Sequence, residues 1–215
     1  MKRIVIAGGG YAGTTVATRL AGVDADITLV NNHTYHHLTT LLHQPVVGRR
    51  GYTDLSVPYA EVLPDNIRFL RGRITAVHPS GMRLEVRTRG GLQNLAADVL
   101  VLTLGWEPQF FHIPGLEEHA LTLLNLNTSR LANDRIEESL IAFDENPRET
   151  WRTSIIIGGA GLSGVELAGE LADARAGFAR TFDLDPAQIR LHLVDGAATV
   201  LHGLDPWLSE RAAGY

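Results

Sequence analysis

The sequence predicts an α/β chain in which one strand–turn–helix unit is built twice. The first copy lies at the N-terminus. Residues 3–7 (Arg-Ile-Val-Ile-Ala) form a short β-branched run, the pattern of a buried strand. Gly8, Gly10 and Gly13 follow at G-x-G-x-x-G spacing, and residues 14–20 carry Val16, Ala17 and Leu20 at helical intervals. The second copy starts at a strand over 153–157. Gly159, Gly161 and Gly164 repeat the spacing there, and 165–171 opens a helix. Strand, glycine turn and helix together make a dinucleotide-binding fingerprint. The first glycine makes the tight turn, the second lets the backbone approach a pyrophosphate, and the third lets helix and strand pack closely. The helix N-terminus then offers free N–H groups and a partial positive charge to the phosphates. A third observation completes the fold class. Between the copies, runs of alternating apolar and polar residues point to a small antiparallel meander. The expected architecture is therefore two Rossmann-like domains, 1–112 and 113–215, the first carrying that meander.

The elements follow in order. Met1-Lys2-Arg3 before an apolar run could open a leader segment, but the glycine spacing favours a strand. After the first helix, 25–30 reads as the second strand, ending at Asn31-Asn32. An acidic residue usually stands at this point to accept from a ribose. An amide can still bond a ribose hydroxyl, so Asn31 is a candidate ribose contact. His33, His36, His37 and His43 come next. They raise a metal site, but no carboxylate or thiolate lies near enough to complete one. A polar segment beside a bound cofactor is the preferred reading. A helix fits 58–63, stopped by Pro64. Alternation over 67–77, 82–88 and 92–94, with turns at Pro79-Ser80-Gly81 and Gly90-Gly91, gives the meander. Residues 98–104 form a continuous apolar strand fit to be buried on both faces, closed by Gly105.

Residues 111–115 read as a linker leading to an amphipathic helix over 129–143, with Leu131, Ile136, Leu140 and Ile141 on or near one face. The second unit continues through a helix to about Phe182. Its second strand, 189–194, ends at Asp195, so here the acidic residue is present. A loop over 200–207 leads into a last helix.

Composition narrows the classes. The chain has 215 residues, 45% apolar and 20% charged, which suits an ordinary globular core. A net charge of −5 argues against a nucleic-acid surface. No run approaches the roughly 18 apolar residues of a membrane helix. There is no cysteine, so this stretch holds no disulfide, zinc–thiolate site or thiol redox pair.

Several longer stretches sharpen the picture. They are Gly8-Gly9-Gly10-Tyr11-Ala12-Gly13, the run Tyr35-His36-His37 through Leu42-His43-Gln44-Pro45, and Ile113-Pro114-Gly115-Leu116-Glu117-Glu118-His119-Ala120. Gly158-Gly159-Ala160-Gly161-Leu162-Ser163-Gly164-Val165-Glu166 and Val200-Leu201-His202-Gly203-Leu204-Asp205-Pro206 complete the set. Across essentially the whole chain they resemble the type II NADH dehydrogenases, membrane-associated NADH:quinone oxidoreductases among the two-dinucleotide-binding-domain flavoproteins. The resemblance implies FAD at the first fingerprint and NADH at the second. Residues 1–112 would then be the N-terminal part of the FAD-binding domain. Residues 113–215 would be a partial NADH-binding domain led by a linker helix. Asn31 and Asn32 would take the adenosine ribose of FAD, the backbone of Ile74 the adenine, and Thr40 would lie near the flavin end. Tyr11, Ala12 and Gly105 count with the cofactor-binding residues, as does Asp195 toward NADH.

Glu166, read in the first turn of its helix, is the catalytic candidate, placed by the resemblance near the flavin–nicotinamide junction where it would help protonate quinone. A carboxylate favouring the positive end of a helix dipole is the plainer reading. The resemblance also implies a homodimer held peripherally on the inner face of the cell membrane, cytoplasmic in location. The chain runs about half the family length, so an incomplete form is expected. Two other readings stay open. One is an NADH-dependent reductase of a ferredoxin- or rubredoxin-type partner. The other is a non-catalytic nucleotide-binding or redox-sensing module. Disulfide reductases and sulfide:quinone reductases are disfavoured by the missing cysteines.

Overall fold

The computed structural model describes residues 1–214. In chain order the elements are β1 (Lys2–Ala7), α1 (Tyr11–Arg19), β2 (Ala25–Asn31), β3 (Tyr35–His37), α2 (His43–Val46), β4 (Ser56–Pro58), α3 (Tyr59–Val62), β5 (Ile67–Arg71), β6 (Arg73–His78), β7 (Arg83–Thr88), β8 (Gly91–Ala96) and β9 (Val99–Leu102). There follow α4 (Leu116–His119), α5 (Leu126–Glu145), β10 (Ser154–Gly158), α6 (Leu162–Thr181), β11 (Arg190–Val194) and α7 (Pro206–Ala213). The chain forms two compact units. The first is Met1–Leu38 with Thr53–Gln109, and the second is Thr39–Tyr52 with the residues from Phe110 onward. The sequence draws a single boundary after residue 112. In the structure the last crossing falls after Gln109, and 39–52 counts with the second unit.

The first unit is a parallel sheet in the order β5-β2-β1-β9. Side chains of a strand alternate between faces. Ile4 and Ile6 of β1 therefore join Ala17 of α1 with Ile27, Leu29, Tyr59 and Ile67 in one cluster. Val5 and Ala7 join Val30, Leu84, Val86 and Ala97 in another, reaching the meander β6-β7-β8. Burial on both faces is what the unbroken β-branched run in β1 requires.

Two expectations are corrected here. Residues 67–77 are not one meander strand. β5 pairs in parallel with β2, while β6 turns away to pair antiparallel with β7. Gly72 makes the break, because a Cβ there would run into the Val86 side chain and lie 3.1 Å from the Arg87 carbonyl oxygen. The apolar run 98–104 is not buried on both faces either. β9 stands at the sheet edge, and Leu102 is 51% exposed.

The second unit has two parallel strands, β10 and β11. α5 and α6 pack over them through Leu140, Ile157, Leu171, Phe178, Ala179 and Ile189, with Val47 from the 39–52 segment against the same cluster. Ile156 is 71% exposed. Of the four apolar residues expected on α5, Ile136 and Leu140 enter this core, whereas Leu131 and Ile141 are exposed. The helix also starts three residues earlier than expected. Asn125 caps it, accepting from Asn127 N–H and Thr128 N–H, while Thr128 Oγ1 accepts from Asn125 N–H. That reciprocal pair satisfies helix-end donors that would otherwise lack partners.

Candidate functional site

The first glycine loop joins β1 to α1. Gly8 N–H donates to Val30 O at 2.9 Å, and Gly8 has φ +102°, a conformation natural to glycine. A Cβ on Gly13 would collide with the Gly8 carbonyl and stand 2.7 Å from Thr103 Oγ1. Gly10 differs from both. Its φ of −71° and ψ of −170° suit any residue, and nothing lies within 4 Å of where its Cβ would be. Neither the local backbone nor the surrounding packing explains a glycine there. α1 begins at this point with no side-chain cap and no acidic residue in its first turn. Tyr11 and Ala12, its first two residues, are exposed.

The peptide after Gly9 is fixed from several sides. Its carbonyl accepts from the Tyr59 hydroxyl, from His36 Nδ1 at 3.1 Å and from Thr14 Oγ1 at 3.2 Å. Gly9 N–H donates to Asn31 Oδ1 at 3.1 Å, and Asn31 Nδ2 donates to the His33 carbonyl at 3.2 Å. Burial pushes the Tyr59 phenol up to about 12, so it stays a donor. Gly9 is itself required, since a Cβ there would strike the Tyr59 hydroxyl. Thr103 Oγ1 bonds the carbonyls of Ala7 and Gly8 at 2.9 and 2.8 Å and ties β9 to the same loop.

Sequence reasoning missed Tyr59, Thr103 and the constraint on Gly9. Two faint signals were present. Thr103 interrupts an apolar run, and Gly9 is a fourth glycine that the spacing rule does not demand.

The second loop repeats this construction. Gly159 has φ +97° and donates to Val194 O at 2.8 Å. A Cβ on Gly164 would strike the Gly159 carbonyl, and one on Gly161 meets nothing within 4 Å. α6 starts with no side-chain cap and no acidic residue in its first turn, whereas α5 and α7 are capped by Asn125 and Asp205. Ala160 N–H donates to Asp195 Oδ2 at 2.6 Å, where Gly9 donates to Asn31 in the first loop. Asp195 Oδ1 accepts from Ala197 N–H at 2.7 Å. These N–H groups, Ala160 first, hold the Asp195 carboxyl below the usual carboxylate range. The asparagine at the end of β2 and the aspartate at the end of β11 are thus structural equivalents.

The remaining candidates separate. Asn32 is exposed, and its carbonyl accepts from Arg71 Nε at 3.4 Å. Ile74 is half-buried in β6, beside a register shift. Gly105 follows β9 with φ +85°. Thr40 is exposed in a tight turn, Thr39–Leu41, that counts with the second unit. The four histidines scatter. His36 is 6% exposed against Gly9 and meets Tyr11 edge-on at 4.7 Å between ring centres. His33, Tyr35 and His37 stack against one another, with ring centres 4.7–5.2 Å apart. His43 lies in the second unit. Among the described residues no group of three or more His, Cys, Asp or Glu could hold a metal ion.

Glu166 is the fifth residue of α6, not in the first turn as expected, because the helix starts at Leu162. Its carboxylate lies 3.4 Å from His43 Nδ1. His43 Nε2 lies 3.8 Å from Glu170, which also meets Arg49 Nη1 at 3.0 Å. Arg49 Nη2 reaches Asp173 at 3.5 Å. Glu166, Glu170 and Asp173 share one face of α6, and the 39–52 segment sets His43 and Arg49 opposite them.

Two glycine loops of one design, each opening an uncapped helix beside a parallel strand pair, define a protein of the two-dinucleotide-binding-domain class. The profile of the pyridine nucleotide-disulphide oxidoreductases matches residues 2–215, and the chain belongs to that family. Relatives named type II NADH:quinone oxidoreductase occur in Staphylococcus haemolyticus, 29% identical over 220 residues, and in Staphylococcus aureus, 30% identical over 220 residues. Each alignment covers 100% of this chain and 53% or 54% of the relative. The chain therefore spans about half the length of the curated relatives it matches. Among solved structures, NDH2 from Plasmodium falciparum in complex with NADH superposes with a TM-score of 0.84 at 18% identity, over 97% of this chain and 44% of that one. That likeness shows the fold.

Proposed function

We propose that this chain is the dinucleotide-handling part of an NADH:quinone oxidoreductase, with FAD at the first glycine loop and NADH at the second. The observation that carries the reading is the pair Gly10 and Gly161. Both stand open, both need no special backbone conformation, and both sit at uncapped helix starts. The names of the Staphylococcus relatives support the reaction. A bound FAD would supply the chemistry, hydride acceptance from NADH and two-electron transfer to a quinone.

The chain's own residues bind and orient. The bonds to Gly9 fix the peptides of the first loop. Asn31 and Asn32 stand at the end of β2, where a ribose would be met, and the backbone of Ile74 is the proposed adenine contact. Asp195 favours NADH over NADPH, because its carboxylate would repel a 2′-phosphate and residues 196–201 hold no arginine. Glu166, half exposed beside His43, is the proposed site of proton exchange for the acceptor. Peripheral membrane association and a homodimer rest on the resemblance alone. No helix among the described residues is long and apolar enough to cross a membrane.

Two substitutions in the first loop test the cofactor site. Gly10→Val should cost less than about 1 kcal/mol of stability, the scale of an N-cap change, yet abolish retention of visible flavin absorbance. Gly13→Ala should cost about 1–3 kcal/mol by overpacking. A yellow Gly10→Val protein would sink the assignment. For Glu166→Gln, in a form extended to the length of the relatives, flavin reoxidation by quinone should slow while its bleaching by NADH is spared. Equal rates in both halves would return Glu166 to a structural role.

A further inference from the structure

Two Arg-x-Arg motifs, Arg71-Gly72-Arg73 and Arg87-Thr88-Arg89, play no part in the glycine loops. The fold brings them together. Gly72 turns the chain from β5 into β6, and β6 pairs with β7 so that Arg73 stands directly opposite Arg87. All four arginines line one open hollow of about 540 Å³, with Asn32 and Gln93 at its sides. Among the described residues, no carboxylate lines it. The nearest acid on β7, Glu85, is already engaged by His78 at 2.9 Å and Arg83 at 3.6 Å. Arg71 Nε donates to the Asn32 carbonyl at 3.4 Å, and burial first, then the Arg71 charge, holds the neighbouring His33 below its ordinary range.

Like charges directly opposite across two strands oppose pairing. Here a second arginine flanks each member, in a chain whose net charge is −5. An arrangement of this kind is relieved by a multivalent anion, and the planar guanidinium matches phosphate oxygens two at a time. We propose that the hollow formed by Arg71, Arg73, Arg87 and Arg89 is a binding site for a phosphate group, distinct from both glycine loops and adjoining the ribose end of the first through Asn32. The ligand class is a phosphomonoester or pyrophosphate. It would be carried either by a soluble phosphorylated molecule or by a phospholipid headgroup.

The test uses the 215-residue chain with Gly10→Val and Gly161→Val, which fill both pyrophosphate cradles. Pyrophosphate titrated calorimetrically at low salt should still bind this protein, and rising ionic strength should weaken the binding. Adding Arg73→Gln and Arg87→Gln should weaken it about tenfold, the scale of one charge-assisted hydrogen bond. Without ligand, the arginine variant should melt at a higher temperature, because the opposed charges are gone. With pyrophosphate, its melting point should no longer rise as the parent's does. Unchanged pyrophosphate affinity in the arginine variant would overturn the proposal, as would a lower ligand-free melting point. Vesicles separate the two sources. Arginine-dependent sedimentation with phosphatidylglycerol but not phosphatidylcholine assigns the site to a headgroup. Pyrophosphate binding without sedimentation assigns it to a soluble ligand.

Discussion

His37 shows how one side chain can set a pH limit. Its ring is half-buried between His33 and Tyr35, and its Nε2 is enclosed without a hydrogen-bond partner. Burial first, then the neighbouring His33 and His36, lowers its pKa from 6.5 to about 4. The folded state thus resists a proton that the unfolded chain accepts. The stability this brings is complete above pH 6.5 and is lost as pH falls from 6.5 toward about 4. With the ring half-exposed, about 1–2 kcal/mol survives solvent screening. Urea unfolding at pH 7 and pH 4.5 should show that loss in the parent and a smaller one in His37→Phe. Equal losses would remove His37 as the cause.

At the scale of elements, both ion pairs and apolar packing hold α6 to the 39–52 segment. Glu170 is 11% exposed at its side chain, and Arg49 is its closest cation. Arg49→Ala would leave that carboxylate with only His43 nearby, a loss of about 1–2 kcal/mol, below that for a fully buried pair because Arg49 is half-exposed. Thermal melting should register the loss, with Arg49→Lys recovering part of it. A melting point equal to the parent's would show that Val46 and Val47 alone hold the segment.

Elements like these differ in how readily a sequence reveals them. Both glycine loops were legible because the glycine spacing and the strand and helix that flank it lie in one short stretch of chain. The equivalence of Asn31 and Asp195 was legible as position but not as task, since the loop N–H each one accepts lies 22 or 35 residues away. Tyr59 reaches Gly9 across 50 positions, and no local pattern announces such a contact. The continuous run 67–77 hid a change of sheet because alternation persists through Gly72. Only the glycine itself, in an otherwise good strand, marked the turn.

For the whole molecule, the family was legible from motifs, while the course of the chain was not. Residues 39–52 leave the first unit and return to it, so the backbone passes between the units at residues 38/39, 52/53 and 109/110. Near the last crossing Phe111 and His112 both hold positive φ, at 50° and 56°, in an exposed loop. Such a loop is a natural place for a protease to cut. A single nick there should not release two independent pieces. The N-terminal fragment would keep 39–52, whose Val46 carbonyl accepts from Asn133 and whose Arg49 grips Glu170 on the other fragment. After limited proteolysis the two fragments should co-elute in native gel filtration and part only in denaturant. Fragments that separate without denaturant would count against this. The segment acts as a thread stitched through the second unit, and a seam that is cut once still holds.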